Sequence, residues 1–265
     1  MLTVTFDTNV IELVLDEDRA RKEGDAYLHV YEAIRDGRIK GYVSRIYFAH
    51  DAILKKERMD KLCGDIEICV SLRKQDNSAF RFTQMSKILL DEFHTRTLNR
   101  MNELGVLCLD FQRKFWPTVD FHLPMCNPPD YYDERYNAIR VYIENELRCG
   151  FARFRQYLRT TVGAVGDDMR LLFQLKEQTF DRGSFDKAFA EAGDGDSLAA
   201  HYGYHIGLFC TNDRASHAGR DSIFSSYNRQ KLKQCFDVKI VSVEQLDQIL
   251  QGTQDVRGGS FDEFE

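Results

Sequence analysis

LTVTFD, at residues 2–7, is a run of apolar and β-branched residues that predicts a strand, and Asp7 follows it directly. GLFCTND, at 207–213, has the same arrangement, because Asp213 comes shortly after the predicted buried strand 207–211. In an α/β fold the carboxyl ends of parallel strands lie at one edge of the sheet, where ligands bind. We therefore expect Asp7 and Asp213, which are far apart in sequence, to lie close together in space.

Between these two stretches, predicted strands alternate with predicted helices. Further strands are predicted at 39–44, 106–111 and 237–242, and helices at 9–16, 25–36, 46–62, 91–105, 196–205, 222–235 and 243–250. This alternation predicts a three-layer α/β fold, with a central parallel sheet of about four or five strands between helices.

The stretch 63–193 interrupts the alternation. It contains a predicted hairpin of 67–73 with 80–85, a loop at 117–129 that holds all four prolines, and several helices over 130–180. We expect a core domain in two parts, separated by a largely helical insertion and followed by a disordered acidic tail. The boundaries are 1–62 and 194–250 for the core, 63–193 for most of the insertion, with 91–111 a candidate core helix and strand, and 251–265 for the tail.

Composition limits the class of protein. The seven cysteines are scattered and form no CxxC pair, which indicates reduced core residues of a cytoplasmic protein rather than a zinc ribbon. No apolar run approaches the roughly 20 residues that span a bilayer, so no membrane partner is expected. The net charge of −6 argues mildly against a nucleic-acid binder, unless bound cations neutralise a carboxylate cluster.

The two strand-end aspartates suggest a site for a hard cation. Magnesium and manganese prefer carboxylate and water oxygens, and a phosphodiester would complete their coordination. The alternative is that each aspartate simply caps a helix or forms a turn, which is common for an Asp after a strand.

Three stretches in order resemble the PIN-domain family of metal-dependent nucleases. They are VTFDTNV at 4–10, GRIKGYVSRIYFAHDAI at 37–53 and GDGDSLAAHYGYHIGLFCTNDR at 193–214. The resemblance implies a four-carboxylate cluster of Asp7, Asp51, Asp196 and Asp213, with Asp194 as a further candidate ligand. Asp51 stands where the family usually has Glu, with His50 as the poorer candidate beside it. The long insertion is a second departure from the family pattern.

The resemblance also implies a chemistry. One or two Mg²⁺ or Mn²⁺ ions would activate water for hydrolysis of a phosphodiester, with RNA, single-stranded or structured, favoured over duplex DNA. Thr8, Asn9, Ser44 and Thr211 are candidates for orienting the carboxylates by hydrogen bonding. His201 and His205 have a spacing that can bind zinc, but no third ligand follows them at a recognisable distance.

Two segments mix basic and aromatic residues, as nucleic-acid-binding surfaces do. They are FQRKFWPT at 111–118 and RCGFARFRQYLRT at 148–160. In the second, an apolar stripe of Phe151, Phe154 and Leu158 is expected to pack on the core, and a basic stripe of Arg148, Arg155 and Arg159 to face substrate. An amphipathic helix with solvated arginines is the alternative. Arg214 and Lys55 are further candidates for phosphate contact.

Together these observations predict an endoribonuclease. The alternatives are a PIN-like module without catalysis that binds RNA or assembles with proteins, and a DNA nuclease or phosphatase on a similar sheet. A phosphatase of the haloacid dehalogenase type needs a second Asp where Asn9 stands. RNA or single-stranded DNA, a second copy of the chain and an antitoxin-like regulator are the partners to consider.

Overall fold

The structure is a computed structural model, and the fold is described for most of the chain. The described residues are 1–51, 57–63, 66–71, 79–84, 92–113, 115–116, 122–215 and 221–252, and the side chains of 50, 51, 61, 66–71 and 79–84 are outside this description. Of the predicted disordered tail at 251–265, residues 253–265 lie outside the described residues.

Within the described ranges, seven strands form two sheets. The strands are β1 (Leu2–Phe6), β2 (Ile39–Ser44), β3 (Ile66–Ser71), β4 (Ala79–Gln84), β5 (Leu107–Leu109), β6 (Leu208–Cys210) and β7 (Ile240–Val241). Five of them make one parallel sheet in the order β5-β2-β1-β6-β7, and β3 and β4 pair antiparallel as a separate hairpin. The predicted parallel sheet and the predicted hairpin are both confirmed.

The order of the strands places β1 at the centre of the sheet. The chain builds outward from β1 through β2 to β5, then crosses back to add β6 and β7 on the other side of β1. The direction of winding therefore reverses between β1 and β6. In open α/β sheets the crevice at such a switch point, at the carboxyl ends of the strands, is where ligands bind.

Eleven α-helices occur among the described residues. They are α1 (Thr8–Val14), α2 (Glu17–Glu23), α3 (Asp25–Arg35), α4 (Arg58–Leu62), α5 (Glu92–Leu104), α6 (Tyr132–Asn145), α7 (Phe151–Val162), α8 (Asp168–Lys176), α9 (Arg182–Gly203), α10 (Ser226–Phe236) and α11 (Val243–Leu250). A π-helical turn covers Tyr47–Asp51. The sheet and its two helical layers form the predicted three-layer α/β architecture.

Each face of the sheet has its own core. Buried side chains of α1, α3, α5 and α11 pack on one face, and those of α6, α9 and α10 on the other. A third cluster joins α7, α8 and the first half of α9, and it includes Phe115 and Trp116. The chain between β5 and β6 is thus largely helical, as predicted. No helix within the described ranges combines the length and apolar character needed to cross a membrane.

One predicted boundary is wrong. The sequence placed a helix start at residue 196, the last residue of GDGD, but α9 runs unbroken from Arg182 to Gly203. The glycines favoured a loop, yet Gly195 serves close packing, since a Cβ there would lie 2.8 Å from the Gly150 Cα. A predicted helix over 46–62 is also wrong in part, because the π-helical turn precedes α4 and residues 52–56 lie outside the described part.

Candidate functional site at the carboxyl edge of the sheet

Asp7 lies at the switch point, directly after β1, with 5% of its surface exposed. It caps the N-terminus of α1, and its Oδ1 accepts a hydrogen bond from the Thr8 backbone N at 2.8 Å. Its Oδ2 accepts from Asn9 Nδ2 at 2.9 Å and from Thr211 Oγ1 at 2.6 Å. These three donors are neutral, and together they fix the orientation of the carboxylate.

Thr211 links the two strand-end aspartates. Its hydroxyl, buried at 1% exposure, donates to Asp7 and accepts from the backbone N of Asp213 at 3.1 Å. Asn9 strengthens this link, because its Nδ2 also reaches Thr211 Oγ1 at 3.2 Å and its Oδ1 accepts from Asn212 N at 3.1 Å. The expectation that Asp7 and Asp213 lie together is confirmed through this shared network.

The loop after β6 is held from the other side by Arg229 of α10. Its guanidinium donates through Nη2 to the Asp213 carbonyl and through Nε to the Phe224 carbonyl at 2.7 Å. Burial lowers the pKa of Arg229, while the carboxylates of Asp213 and Asp7 act in the opposite direction. One guanidinium therefore lies within electrostatic range of both acids. The sequence did not single out Arg229, since a lysine- and arginine-rich helix gives no sign of which cation turns inward.

The half-buried Asp213 side chain stays at the sheet edge. Its Oδ1 accepts from Ala215 N at 2.7 Å, where Ala215 has a left-handed φ of 48°. Arg214, the predicted phosphate contact beside it, is exposed. Ser44 at the end of β2 is buried, and its Oγ accepts from Ile46 N at 3.3 Å. It stabilises the turn that leads into the π-helical segment.

Asp196 has a different environment from Asp7. It is 1% exposed, and Arg113 Nε donates to both of its oxygens, at 3.2 Å and 2.8 Å. Trp116 Nε1 donates to Oδ2 at 2.6 Å, and the Tyr136 hydroxyl lies 3.4 Å from Oδ1. Because a buried guanidinium already pairs with it, this carboxylate is not presented as an open ligand. Asp196 also lies inside α9, so the prediction that it opens a helix is wrong, and its role as a metal ligand stays a prediction.

The position of Asp196 along the sheet is nevertheless close to that of Asp7. His201 Nδ1 contacts Thr5 Oγ1 at 2.9 Å, and the next turn of chain reaches back to Thr3, so α9 runs antiparallel to β1. Asp196 lies five residues before His201, about 7.5 Å nearer the carboxyl edge at 1.5 Å per residue. Asp7 lies about 7 Å beyond Thr5 at ~3.3 Å per residue.

Arg113 extends this ion pair into a network. Its Nη2 lies 2.5 Å from Glu144 Oε1, and its guanidinium lies 3.8 Å from the Phe151 ring centroid. Burial lowers the pKa of Arg113, but attraction to Asp196 and Glu144 outweighs it and leaves the pKa above its ordinary value. Phe115 and Trp116 are buried at 7% and 4% exposure. The prediction that this segment stacks on substrate bases is wrong, because its aromatic side chains fill the third core.

Other predicted site residues fall in several places. Asp194 is half-buried within α9. The backbone of Asp51 ends the π-helical turn, but its side chain, like all of Lys55, lies outside the described residues. His201 is 1% exposed, and burial lowers its pKa to about 3, so it is a neutral core residue bonded to Thr5.

Of the two stripes predicted for residues 148–160, the apolar one is observed and the basic one is not. Phe151, Phe154 and Leu158 are buried in the third core, as expected. Arg155 instead pairs with Asp168 at 2.9 Å and with Glu144 at 3.5 Å. Arg148 precedes α7 with a left-handed φ of 55°, and only Arg159 of the predicted stripe is an exposed helical residue. The basic stripe is therefore wrong as a continuous surface.

The donor set at the switch point fits a hard cation in its chemistry. Asp7 and Asp213 supply carboxylate oxygens, and magnesium is often held by one or two carboxylates together with water and substrate phosphate. Among the residues that the structure describes, no cluster of three or more His, Cys, Asp or Glu side chains could enclose a metal ion. Within the described part, the carboxylate-bearing residues at this point of the edge are Asp7 and Asp213, which the Thr211 hydroxyl joins through the Asp7 side chain and the Asp213 backbone.

Comparisons of the chain with models of known families, with curated proteins and with solved structures found no match.

Proposed function

We propose that this chain is a divalent-metal-dependent nuclease that hydrolyses phosphodiester bonds, with RNA as the preferred substrate. The observation that carries the proposal is the Asp7–Thr211–Asp213 network at the β1/β6 switch point. Ligand sites of open α/β sheets lie at this position. The resemblance of the strand-end motifs to PIN-domain nucleases supports the choice of reaction and of RNA.

In this proposal, some residues of the chain would bind the cation and others would orient its ligands. Asp7 and Asp213 would hold Mg²⁺ or Mn²⁺. Thr211 and Asn9 would fix the orientation of the Asp7 carboxylate, which they contact at 2.6 Å and 2.9 Å. Arg229 would hold the backbone of the Asp213 loop. When bound, the cation lowers the pKa of a water molecule and stabilises charge on the phosphate.

The activity test uses purified full-length chain, Mn²⁺ or Mg²⁺ and unpaired RNA. We expect cleavage that stops with excess chelator. Asp7→Asn and Asp213→Asn should each lower turnover at least about a hundredfold, because a lost metal ligand removes several kcal/mol of transition-state stabilisation. Asn remains a good helix N-cap, so Asp7→Asn should keep its fold.

Asp110→Asn is the matched control. Asp110 follows β5 at the same edge, but it lies away from the switch point and pairs with Arg45 at 2.9 Å. Its replacement should leave turnover near that of the wild type. Full activity in excess chelator, or near-normal turnover in both Asp7→Asn and Asp213→Asn, would reject the proposed mechanism.

A second candidate is a PIN-like module that binds RNA or a protein without cleaving. The guanidinium of Arg113 on Asp196 favours it, because that contact neutralises one of the four acids that the resemblance implies. The two candidates differ in the chelator test, since a binding module retains its partner without a cation and shows no turnover with one.

A further inference from the structure

A second polar feature lies beside the proposed site. A cleft of about 380 Å³ separates α1 and α2 from α5. Three guanidinium groups and one aromatic ring line it: Arg19 on one wall, and Phe93, Arg96 and Arg100 on the other. None of these side chains takes part in the Asp7–Thr211–Asp213 network.

The two walls are joined underneath by Tyr47. Its buried hydroxyl donates to Glu12 Oε1 at 2.9 Å and lies 3.4 Å from Thr97 Oγ1. Tyr47 begins the π-helical turn that follows β2, so this link behind the two walls comes from the carboxyl edge of the sheet. Such turns are frequent at functional sites.

The cleft also begins at the level of the proposed site. Helix α1 starts beside Asp7, and Glu12 lies about 7.5 Å further along its axis at 1.5 Å per residue. Helix α5 leads into β5, which is parallel to β1, so the first turn of α5 lies toward the same carboxyl edge. The cleft and the Asp7–Asp213 site therefore both lie toward the carboxyl edge of the sheet.

The side chains have the chemistry of a grip for an unpaired strand. Arg96 and Arg100 are exposed and one turn apart, so they share a face of α5. The Arg19 guanidinium lies 4.7 Å from the Phe93 ring centroid, which combines a cation with a flat apolar surface. Guanidinium groups bind phosphates, and aromatic rings stack on unpaired bases.

The carboxylates in the cleft leave its arginines able to bind phosphate. Three acids line the cleft with the three arginines: Glu12, Asp16 and Glu103. Asp16 caps α2 by accepting from Arg19 N at 3.1 Å, and Arg19 lies 3.7 Å from Glu12. Arg100 pairs with Glu103 at 2.8 Å, and both of these side chains are more than half exposed. Exposed ion pairs of this kind contribute little stability, so a phosphate can replace the carboxylate.

We propose that this cleft holds the sugar–phosphate backbone of an unpaired RNA strand, with Arg96 and Arg100 on successive phosphates and Phe93 against a base. The proposal rests on the proposed function, because it names the path of that substrate. It also relocates the grip from the predicted stripe at Arg155 and Arg159 to the opposite face of the sheet.

The test is binding of a fluorescent single-stranded oligouridylate to the full chain in chelator, where no cleavage occurs. Arg96→Gln/Arg100→Gln should weaken binding at least about tenfold and reduce the salt slope by about 1.4, because each phosphate contact with a single strand contributes ~0.7. Phe93→Leu should weaken binding by roughly tenfold while leaving the salt slope unchanged, because it removes stacking and no charge.

Arg21→Gln/Arg35→Gln is the matched control. It removes the same charge from two arginines that form exposed ion pairs outside the cleft, with Glu17 and Asp36. We expect its affinity and salt slope to stay close to those of the wild type. Equal losses in the control, or an unchanged salt slope in Arg96→Gln/Arg100→Gln, would overturn the cleft assignment.

A second experiment separates failure of the cleft assignment from failure of the proposed nuclease activity. Hydrolysis of bis(p-nitrophenyl) phosphate with Mn²⁺ by the wild type and by Asp7→Asn tests the chemistry without any strand. If the wild type is inert toward the ester and toward RNA but the cleft variants weaken binding, the cleft stands as an RNA-binding site and the nuclease is rejected. If cleavage occurs and the cleft variants bind normally, the nuclease stands and the cleft is rejected.

Discussion

Asp7 and Asp196 are both nearly buried carboxylates at the same level of the sheet, yet their surroundings differ. Asp7 accepts hydrogen bonds from a backbone N–H, an amide and a hydroxyl. Asp196 pairs with the Arg113 guanidinium and accepts from the Trp116 indole. The donors that contact Asp7 are neutral, and the Arg229 guanidinium acts on it only from a distance, whereas the Arg113 guanidinium donates directly to both oxygens of Asp196. Asp196 therefore holds α9 against the segment of Arg113 and Trp116, whereas the role of Asp7 in metal binding is the proposal that the following experiments test.

The largest expected effect on stability comes from Asp196. Asp196→Ala leaves the Arg113 guanidinium with only part of its buried compensation, and breaking a buried ion pair costs about 3 kcal/mol or more of the free energy of unfolding. Chemical denaturation followed by circular dichroism measures this. Asp110→Ala, which removes the partner of Arg45 at a more exposed pair, should cost less than about 1 kcal/mol.

Asp196→Ala can also show that Asp196 acts in the site, when its stability and its turnover are both measured. If Asp196→Ala unfolds at the wild-type denaturant concentration but loses metal-dependent turnover, the carboxylate acts in the site as the sequence predicted. The Arg113 contact would then be a feature of the metal-free state, and the assignment of Asp196 to structure would be wrong.

A smaller loss of stability is expected when the arginines of the predicted basic stripe are replaced. Arg155→Ala/Arg159→Ala removes the half-buried pair with Asp168 and one exposed cation. We expect a loss of roughly 1 kcal/mol in the free energy of unfolding and an RNA affinity and salt slope close to those of the wild type. Anisotropy titrations at several salt concentrations check this. A weaker affinity with a flatter slope would return the substrate path to α7.

The sequence predicted those parts of the fold that depend on local pattern. The apolar run at 2–6 and the stretch 207–211 predicted β1 and β6, which are neighbours in the sheet. The Asp that follows each of these strands was therefore expected at the switch point. Asn9 and Thr211 were found for the same reason, since residues next to a strand end share its edge. The separation of the hairpin β3–β4 from the main sheet could not be predicted from periodicity alone.

The environment of Asp196 was not predictable in this way. GDGD has the composition of a loop, but the glycines allow α9 to pass the Gly150 backbone closely, and that contact is tertiary. The partners Arg113 and Trp116 lie about 80 residues earlier, in a segment whose mix of basic and aromatic residues equally fits RNA binding. Composition does not show which arginine is buried, because burial depends on packing against α9.

The central claim is that Asp7 and Asp213 at the β1/β6 switch point bind a divalent cation. Titration of Mn²⁺ into the metal-free chain, followed by calorimetry, tests it most directly. We predict saturable binding by the wild type and by Asp110→Asn, no measurable binding by Asp7→Asn, and an affinity weakened by about 10- to 100-fold in Thr211→Val, which removes the hydroxyl that orients Asp7. Binding by Asp7→Asn equal to that of the wild type would contradict the claim.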